Sequence, residues 1–159
     1  MVAHATTTAL DPGRTLDVTL LAQAPIQLAG DTDPAGSYQP GVCNIGPAEI
    51  ARRRRSGHVG LVATVVLLLV LVVVGAPPLV RLLLILPAGV AASGYLQAAF
   101  KFCAGFASQG IFNFGPLGQT ETIADASARR SDQARARQIL AASLAVGIAI
   151  GVAAVLLPL

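Results

Sequence analysis

Residues 58–76, HVGLVATVVLLLVLVVVGA, form an apolar run that follows the four consecutive arginines Arg52–Arg55. At about 1.5 Å per residue, a helix over this run reaches roughly 27–29 Å, which matches a hydrocarbon core of about 30 Å. Pro47 suits the first position of a helix, because the N–H that it lacks would be unpaired there, and Glu49 suits the positive end of the helix dipole. The sequence therefore predicts a membrane-spanning helix that begins before the arginines.

Two more stretches are long and apolar enough to cross a bilayer, residues 79–100 and residues 139–157. A Pro-Pro pair at 77–78 separates the first two spans, since proline interrupts a helix. Pro87 and Gly89 predict a kink inside the second span. Three crossings are therefore expected.

The composition also indicates a membrane protein. The 159 residues are 54% hydrophobic and 12% charged, against roughly 25% charged in soluble domains. We expect an all-α integral membrane protein with three transmembrane helices, a Phe/Gly-rich interfacial loop, an amphipathic extension of the third helix and an extended N-terminal tail. The tail would cover residues 1–41 and the membrane domain residues 42–159, with a cytoplasmic loop at 101–138. Within the tail, residues 15–21 fit either a short strand or a docking segment, and the alternative is a tail that is disordered throughout.

Basic residues near the span ends are unevenly distributed, and this predicts the orientation. One side carries nearly all of them: Arg52, Arg53, Arg54, Arg55, Lys101, Arg129, Arg130, Arg135 and Arg137. The other side carries only Arg81, whose side chain is expected to extend to the lipid headgroups. Because such residues favour the cytoplasm, the N-terminus should lie inside and the C-terminus outside. Ten arginines to one lysine are typical of a GC-rich bacterial genome, and we expect the protein in the bacterial inner membrane.

The arginine run and the Phe/Gly-rich segment at 101–119 predict which residues anchor the chain to lipid. The candidates are Arg52, Arg53, Arg54, Arg55, Phe102, Phe106, Phe112 and Phe114. We expect the arginines to contact anionic headgroups, and the rings to lie at the headgroup boundary. The net charge of +3 is small and the basic residues are clustered, so a nucleic-acid partner is not expected.

Small residues predict how the spans pack. Ser143, Gly147 and Gly151 recur every four residues in the third span, and the second span offers Gly89 and Ser93. Such rows let helix backbones approach closely, so we expect spans two and three to pack together. A second row, Ala141, Ala145, Ala149 and Ala153, is left for another subunit, whereas the Val/Leu-rich first span is expected to face lipid throughout.

The segment before the third span, residues 120–138, is expected to be helical. Thr122 with Asp125 approximates a capping box. Asp125 and Arg129 are spaced for an ion pair, and Asp132 is expected to contact Arg129 or Arg135.

Few residues suggest chemistry. Cys43 and Cys103 both lie just outside a span on the predicted cytoplasmic side, and they are weak candidates for a thiol pair or a metal site. His58, at the inner mouth of the first span, is a weak candidate for ligating haem or a chlorophyll-type pigment. No nucleotide-binding or hydrolase motif is present in the sequence, so the chain is not expected to be an enzyme and no cofactor is predicted.

The region from about residue 44 to residue 103 resembles the small two-helix bacterial inner-membrane domain of unknown function that occurs alone or fused to rhodaneses. The resemblance is seen in CNIGPAEIARRRRSGHVG, residues 43–60, and GYLQAAFKFC, residues 94–103. The matching positions are Asn44, Gly46, Glu49, Arg52, Gly57 and Cys103. The family usually has Cys-Pro where this chain has Cys103-Ala104. The resemblance implies a helical hairpin.

Taken as a whole, the sequence favours a non-catalytic accessory subunit of a larger bacterial inner-membrane complex, and the expected class is energy-transducing, respiratory or photosynthetic. Its partners would be other membrane subunits and anionic lipid headgroups. The alternative is a membrane protein that handles sulfur or senses redox state through Cys43 and Cys103. A weaker alternative is pigment or haem binding through His58.

Overall fold

The computed structural model describes residues 36–157, so the strand expected at 15–21 lies outside the described residues. The helices of three turns or more are α1, Pro47–Val73; α2, Ile85–Ala99; and α4, Ala126–Leu156. A 3₁₀ helix, Pro78–Leu84, leads directly into α2. The shorter elements are α3, Ala104–Gln109, and the strands β1, Ile111–Phe112, and β2, Glu121–Thr122.

Within residues 36–157, three helices are long and apolar enough to cross a membrane, which confirms the prediction at the level of length and composition. They are Pro47–Val73, Pro78–Ala99 and Ala126–Leu156. The first and third begin well before their apolar runs, since α1 starts at the proline expected to open it and α4 includes the arginine-rich segment. At about 1.5 Å per residue, the 27 residues of α1 reach roughly 40 Å, which is longer than a hydrocarbon core of about 30 Å.

The expectation that the first span faces lipid throughout is wrong. Near its N-terminal half, α1 packs closely on α2 through glycines: a Cβ on Gly60 would lie 2.5 Å from the backbone N of Ala91. A Cβ on Gly94 would lie 2.6 Å from Gly57 Cα and 2.8 Å from the backbone O of Arg53. Real Cβ atoms do not approach backbone so closely, so this crossing requires glycine on both helices.

The predicted packing of span two against span three is confirmed. Ser143, Gly147 and Gly151 are all buried, and a Cβ on Gly147 would lie 2.7 Å from the backbone O of Ile85. A Cβ on Gly89 would sit 3.8 Å from the backbone O of Ser143, an ordinary contact. Ser93 has a local role instead, because its hydroxyl accepts a hydrogen bond from Gln97 Nε2 at 2.7 Å.

Arg81 does not extend to the headgroups as expected. Its side chain is buried, and its Nη1 donates to the backbone O atoms of Ala154 and Leu157 at 3.1 and 3.0 Å. The last carbonyls of a helix have no partner within the helix and carry its negative dipole end. Arg81 therefore ties the 3₁₀ segment to the end of α4.

The loop expected to be interfacial is partly folded on itself. Strands β1 and β2 form a two-stranded antiparallel ladder, with Ile111 opposite Thr122 and Phe112 opposite Glu121, so the description all-α omits a small sheet. Phe102 is 0% exposed and packs with residues of α3 and α4. It is a core residue of the protein, and its expected role as a membrane anchor is wrong.

Helix α4 begins about one turn later than predicted, because the N-cap is Asp125 and not Thr122. The Asp125 carboxylate accepts from the backbone N and the hydroxyl of Ser127 at 2.8 and 2.6 Å. These hydrogen bonds hold the pKa of Asp125 below its usual range. Arg129 donates to the backbone O of Ile123 at 2.6 Å. Thr122 belongs to β2 and takes no part in the cap.

Candidate functional site

Polar residues that the fold buries at the arginine end of the helices form the candidate site. Asn44 is 0% exposed and pairs with the backbone of Cys103 in both directions: Asn44 Nδ2 donates to the Cys103 O at 3.1 Å, and the Cys103 N donates to Asn44 Oδ1 at 2.6 Å. Its own backbone N donates to the O of Lys101, and its O accepts from Asn113 N. One asparagine thus joins the segment before α1, the turn after α2 and the loop after β1.

Two more buried amides stabilise the turns around this junction. Gln97 Oε1 accepts from the backbone N of Ala104, which fixes the start of α3 relative to the end of α2. Asn113 Oδ1 accepts from Gly115 N and its Nδ2 donates to Pro116 O, an Asx-type arrangement that closes the loop. Both side chains satisfy backbone groups that would otherwise be buried without partners, which is the expected role of a buried amide.

A carboxylate, a guanidinium and a thiol lie side by side at the base of α1. Glu49 is 1% exposed, and its carboxylate is 3.4 Å from Arg52 Nη1 and 3.8 Å from Arg53 Nη2. Arg53 Nη2 also donates to the sulfur of Cys103 at 2.8 Å, and its Cζ lies 5.9 Å from the centre of the Phe106 ring. Arg53 is therefore engaged by protein groups, although its side chain stays 20% exposed, and its role as a headgroup anchor remains a prediction.

Asp132 does not contact an arginine as the helical spacing suggested. It is 0% exposed, its Oδ1 accepts from the backbone N of Gly41 at 2.6 Å, and its Oδ2 accepts from the hydroxyl of Tyr38 at 3.2 Å. The Tyr38 ring stacks on Phe112, with ring centres 4.7 Å apart. These contacts attach residues 36–41, the end of the predicted tail, to the helical part of the structure.

The Tyr38 phenol should titrate at unusually high pH. Burial and the neighbouring Asp132 carboxylate raise the pKa of Tyr38 from 10.0 to about 12. The folded state thus holds this proton more tightly than the unfolded state. The resulting stabilisation is present below pH 10 and is lost as the pH rises through about 12.

Absorbance titration of the phenolates in wild-type protein and in Tyr38→Phe measures this shift. The difference between the two curves should have its midpoint near 12. A midpoint near 10, in protein that remains folded, would show that Tyr38 does not contact Asp132.

The cysteines and the histidine have separate surroundings. Both thiols are free; Cys43 donates to the backbone O of Ser37 at 3.1 Å, whereas Cys103 is fully buried and accepts from Arg53. Among residues 36–157 no group of three or more His, Cys, Asp or Glu side chains is placed to hold a metal ion. His58 is exposed, and its Nδ1 lies 2.7 Å from the hydroxyl of Tyr95, so one ring nitrogen already has a protein partner.

The remaining predicted anchors are spread over the surface. Arg52, Arg54 and Arg55 are exposed, as a headgroup contact requires. Phe106, Phe112 and Phe114 are half-buried, and the last two lie with ring centres 6.2 Å apart.

Several residues of the family resemblance lie in close contacts: Asn44 contacts Cys103, Glu49 contacts Arg52, and two glycines lie against aromatic residues. A Cβ on Gly46 would lie 2.8 Å from Phe114 Cα, and one on Gly57 would lie 3.0 Å from the Tyr95 ring. Sequence reasoning missed the hydrogen-bonding roles of Gln97 and Asn113. The only available indication was an amide side chain inside the predicted second span, Gln97, and another in the Phe/Gly-rich loop, Asn113.

No known protein family, no curated protein and no solved structure matches the chain.

Proposed function

We propose that the protein is a non-catalytic accessory subunit of a larger bacterial inner-membrane complex, with its N-terminal side in the cytoplasm and its C-terminal side outside. Energy-transducing complexes, respiratory or photosynthetic, are the proposed class. The nine-to-one distribution of basic residues supports the orientation. The arrangement of small residues on α4 supports the role in a complex.

The observation that carries the proposal is the exposed alanine row of α4. Ser143, Gly147 and Gly151 face α2 and are buried, whereas Ala141, Ala145, Ala149 and Ala153 are exposed. At 100° per residue these alanines project away from the buried row. Such a row lets another helix approach closely, and close approach is what stabilises helix pairs in lipid.

The polar cluster is consistent with a structural role. Asn44, Gln97, Asn113 and Asp132 are each committed to backbone or side-chain partners inside the protein. These side chains hold loops together and present no unpaired reactive group to a substrate.

A single substitution on the alanine row should release the partner. Ala145→Leu places an isobutyl group where another helix would pack. We expect the free energy of association to become about 1–2 kcal/mol less favourable, which corresponds to about tenfold weaker binding of the partner. Ala63→Leu is the matched control, because Ala63 is an exposed alanine on α1. The measurement is co-purification in mild detergent, quantified by mass spectrometry. The proposal would be contradicted if both variants recovered equal amounts of partner proteins. It would also be contradicted if wild-type protein purified at its monomer mass while candidate complexes remained complete without it.

A thiol-based function is the second candidate, because reactive cysteines are commonly found beside cationic side chains and Arg53 contacts the Cys103 sulfur at 2.8 Å. Serine can also accept the helix-capping hydrogen bond that this sulfur accepts from Phe106 N. A Cys43→Ser, Cys103→Ser double variant should therefore fold but lose thiol chemistry. If a phenotype of the deletion strain is fully rescued by this variant, the thiol function is excluded.

A further inference from the structure

An open pocket of about 870 Å³ lies where the segment before α1 meets α1, α4 and the turn after α2. Three basic residues from three different segments line it: Arg54, Lys101 and Arg135. Much of the remaining lining is apolar, including Val42 and Ile50, and no acidic residue is among the described residues that line it. The pocket therefore combines three cationic side chains with an apolar wall.

The three cations have no carboxylate partner within residues 36–157, where the ion pairs are those of Arg52 and Arg53 with Glu49. The Arg135 guanidinium lies over the Phe100 ring, with Cζ 4.5 Å from the ring centre. Like charges that converge on one pocket repel one another, and a bound anion would remove that repulsion.

Lys101 is held in the pocket by an unusual backbone conformation. Its φ of 51° lies in the left-handed region, the only such value among the described residues other than glycine. It follows the C-cap Phe100, a position where glycine is the usual residue. Its carbonyl accepts from the backbone N atoms of Asn44 and Ile45 at 3.2 and 3.4 Å, which secures the turn. This position therefore holds a lysine although glycine would adopt the same backbone conformation with less strain.

Two of the basic residues lie about one helical turn before an apolar run. Arg54 precedes His58, the start of the apolar run of α1, by four residues, or roughly 6 Å of helix. Arg135 precedes Ile139, where the apolar run of α4 starts, by roughly 6 Å. The headgroup layer extends roughly 5–8 Å beyond the hydrocarbon on each side.

We propose that this pocket binds the phosphodiester of an anionic phospholipid. Arg54, Lys101 and Arg135 contact the phosphate oxygens, which guanidinium groups suit particularly well because of their planar donors. The apolar wall covers the first part of an acyl chain. A soluble phosphate would use the cations but not this wall, and it would not need a site at headgroup depth.

Native mass spectrometry of the detergent-solubilised full chain, with equimolar phosphatidylglycerol and phosphatidylcholine, tests the proposal. Wild-type protein should retain phosphatidylglycerol selectively. The double variant Arg54→Gln, Arg135→Gln should lower that retention by about tenfold or more, since each basic residue near an anionic surface adds appreciably to binding. The control, Arg55→Gln with Arg137→Gln, removes the same charge from the same two helices outside the pocket, and its effect should stay below about twofold.

Lys101→Gly is a second variant, and it should not destabilise the fold, because glycine adopts the same backbone conformation without strain. It should lower phosphatidylglycerol retention by about fivefold while the thermal midpoint stays level or rises. Equal retention of the two lipids by wild-type protein would overturn the proposal, as would equal losses in the pocket and control variants. Displacement of the lipid by millimolar inorganic phosphate would show that the pocket takes a free anion, and would also overturn it.

Discussion

Gly94→Ala should lower the stability of the helix bundle by about 3 kcal/mol, one of the two largest effects expected from a single substitution. The added methyl would meet the backbone of the neighbouring helix, including Gly57 Cα at 2.6 Å and the Arg53 O at 2.8 Å. Backbone atoms cannot rotate away as the end of a side chain can. The two helices must therefore separate along the whole crossing, which also displaces Arg53 from Cys103.

Gly89→Ala is the matched control in the same helix. Its methyl would lie 3.8 Å from the nearest atom, the backbone O of Ser143, so the contact is ordinary. The change in stability should stay within about 1 kcal/mol and on the stabilising side, since alanine favours helix over glycine. Both variants can be measured by thermal or SDS-induced unfolding in micelles. Equal stability of the two variants would show that α1 and α2 do not cross at Gly94.

Asn44→Ala should destabilise the arginine end of the protein by about 2–3 kcal/mol. The substitution removes the acceptor Asn44 Oδ1 from the buried backbone N of Cys103, which has no other acceptor among residues 36–157. The Cys103 carbonyl still accepts from Ala107 N at 3.1 Å. A buried donor that loses its acceptor costs its full desolvation energy, and the missing amide also leaves a void. Hydrogen exchange of residues 36–46 should become faster in the variant.

Gln109→Ala is the control for this prediction. Gln109 is exposed and donates a single hydrogen bond to the backbone O of Gly105, so its removal should cost less than about 0.5 kcal/mol. If Asn44→Ala were no more destabilising than this control, Asn44 would not hold the three segments together.

The apolar spans could be predicted from the sequence because each depends on local composition alone. The lengths of the runs and the proline pair set the number of crossings, and the Ser143–Gly147–Gly151 row identified the face of α4 that meets α2. These features share one property, namely that a window of about twenty residues contains all the information needed.

The contacts that shape the candidate site depend on residues far apart in the sequence. Asp132 accepts from Gly41, 91 residues away, although an arginine one helical turn away offered a plausible local partner. Phe102 belongs to an aromatic segment that is typical of a membrane boundary, and only the fold decides that this ring is buried. Gly57 and Gly60 did indicate a close helix crossing in the sequence. Two glycines three residues apart lower the stability of a helix, and close packing is a common reason for a helix to contain them.

The number of membrane crossings is tested most directly by epitopes placed at both ends of the chain and in both connections. One epitope would be inserted between Pro77 and Pro78 and another between Gly118 and Gln119, with one further epitope at each terminus. Protease treatment of intact spheroplasts should remove the epitopes at the C-terminus and between the prolines, and spare those at the N-terminus and after Gly118. Terminal epitopes that are both spared or both removed would contradict three crossings.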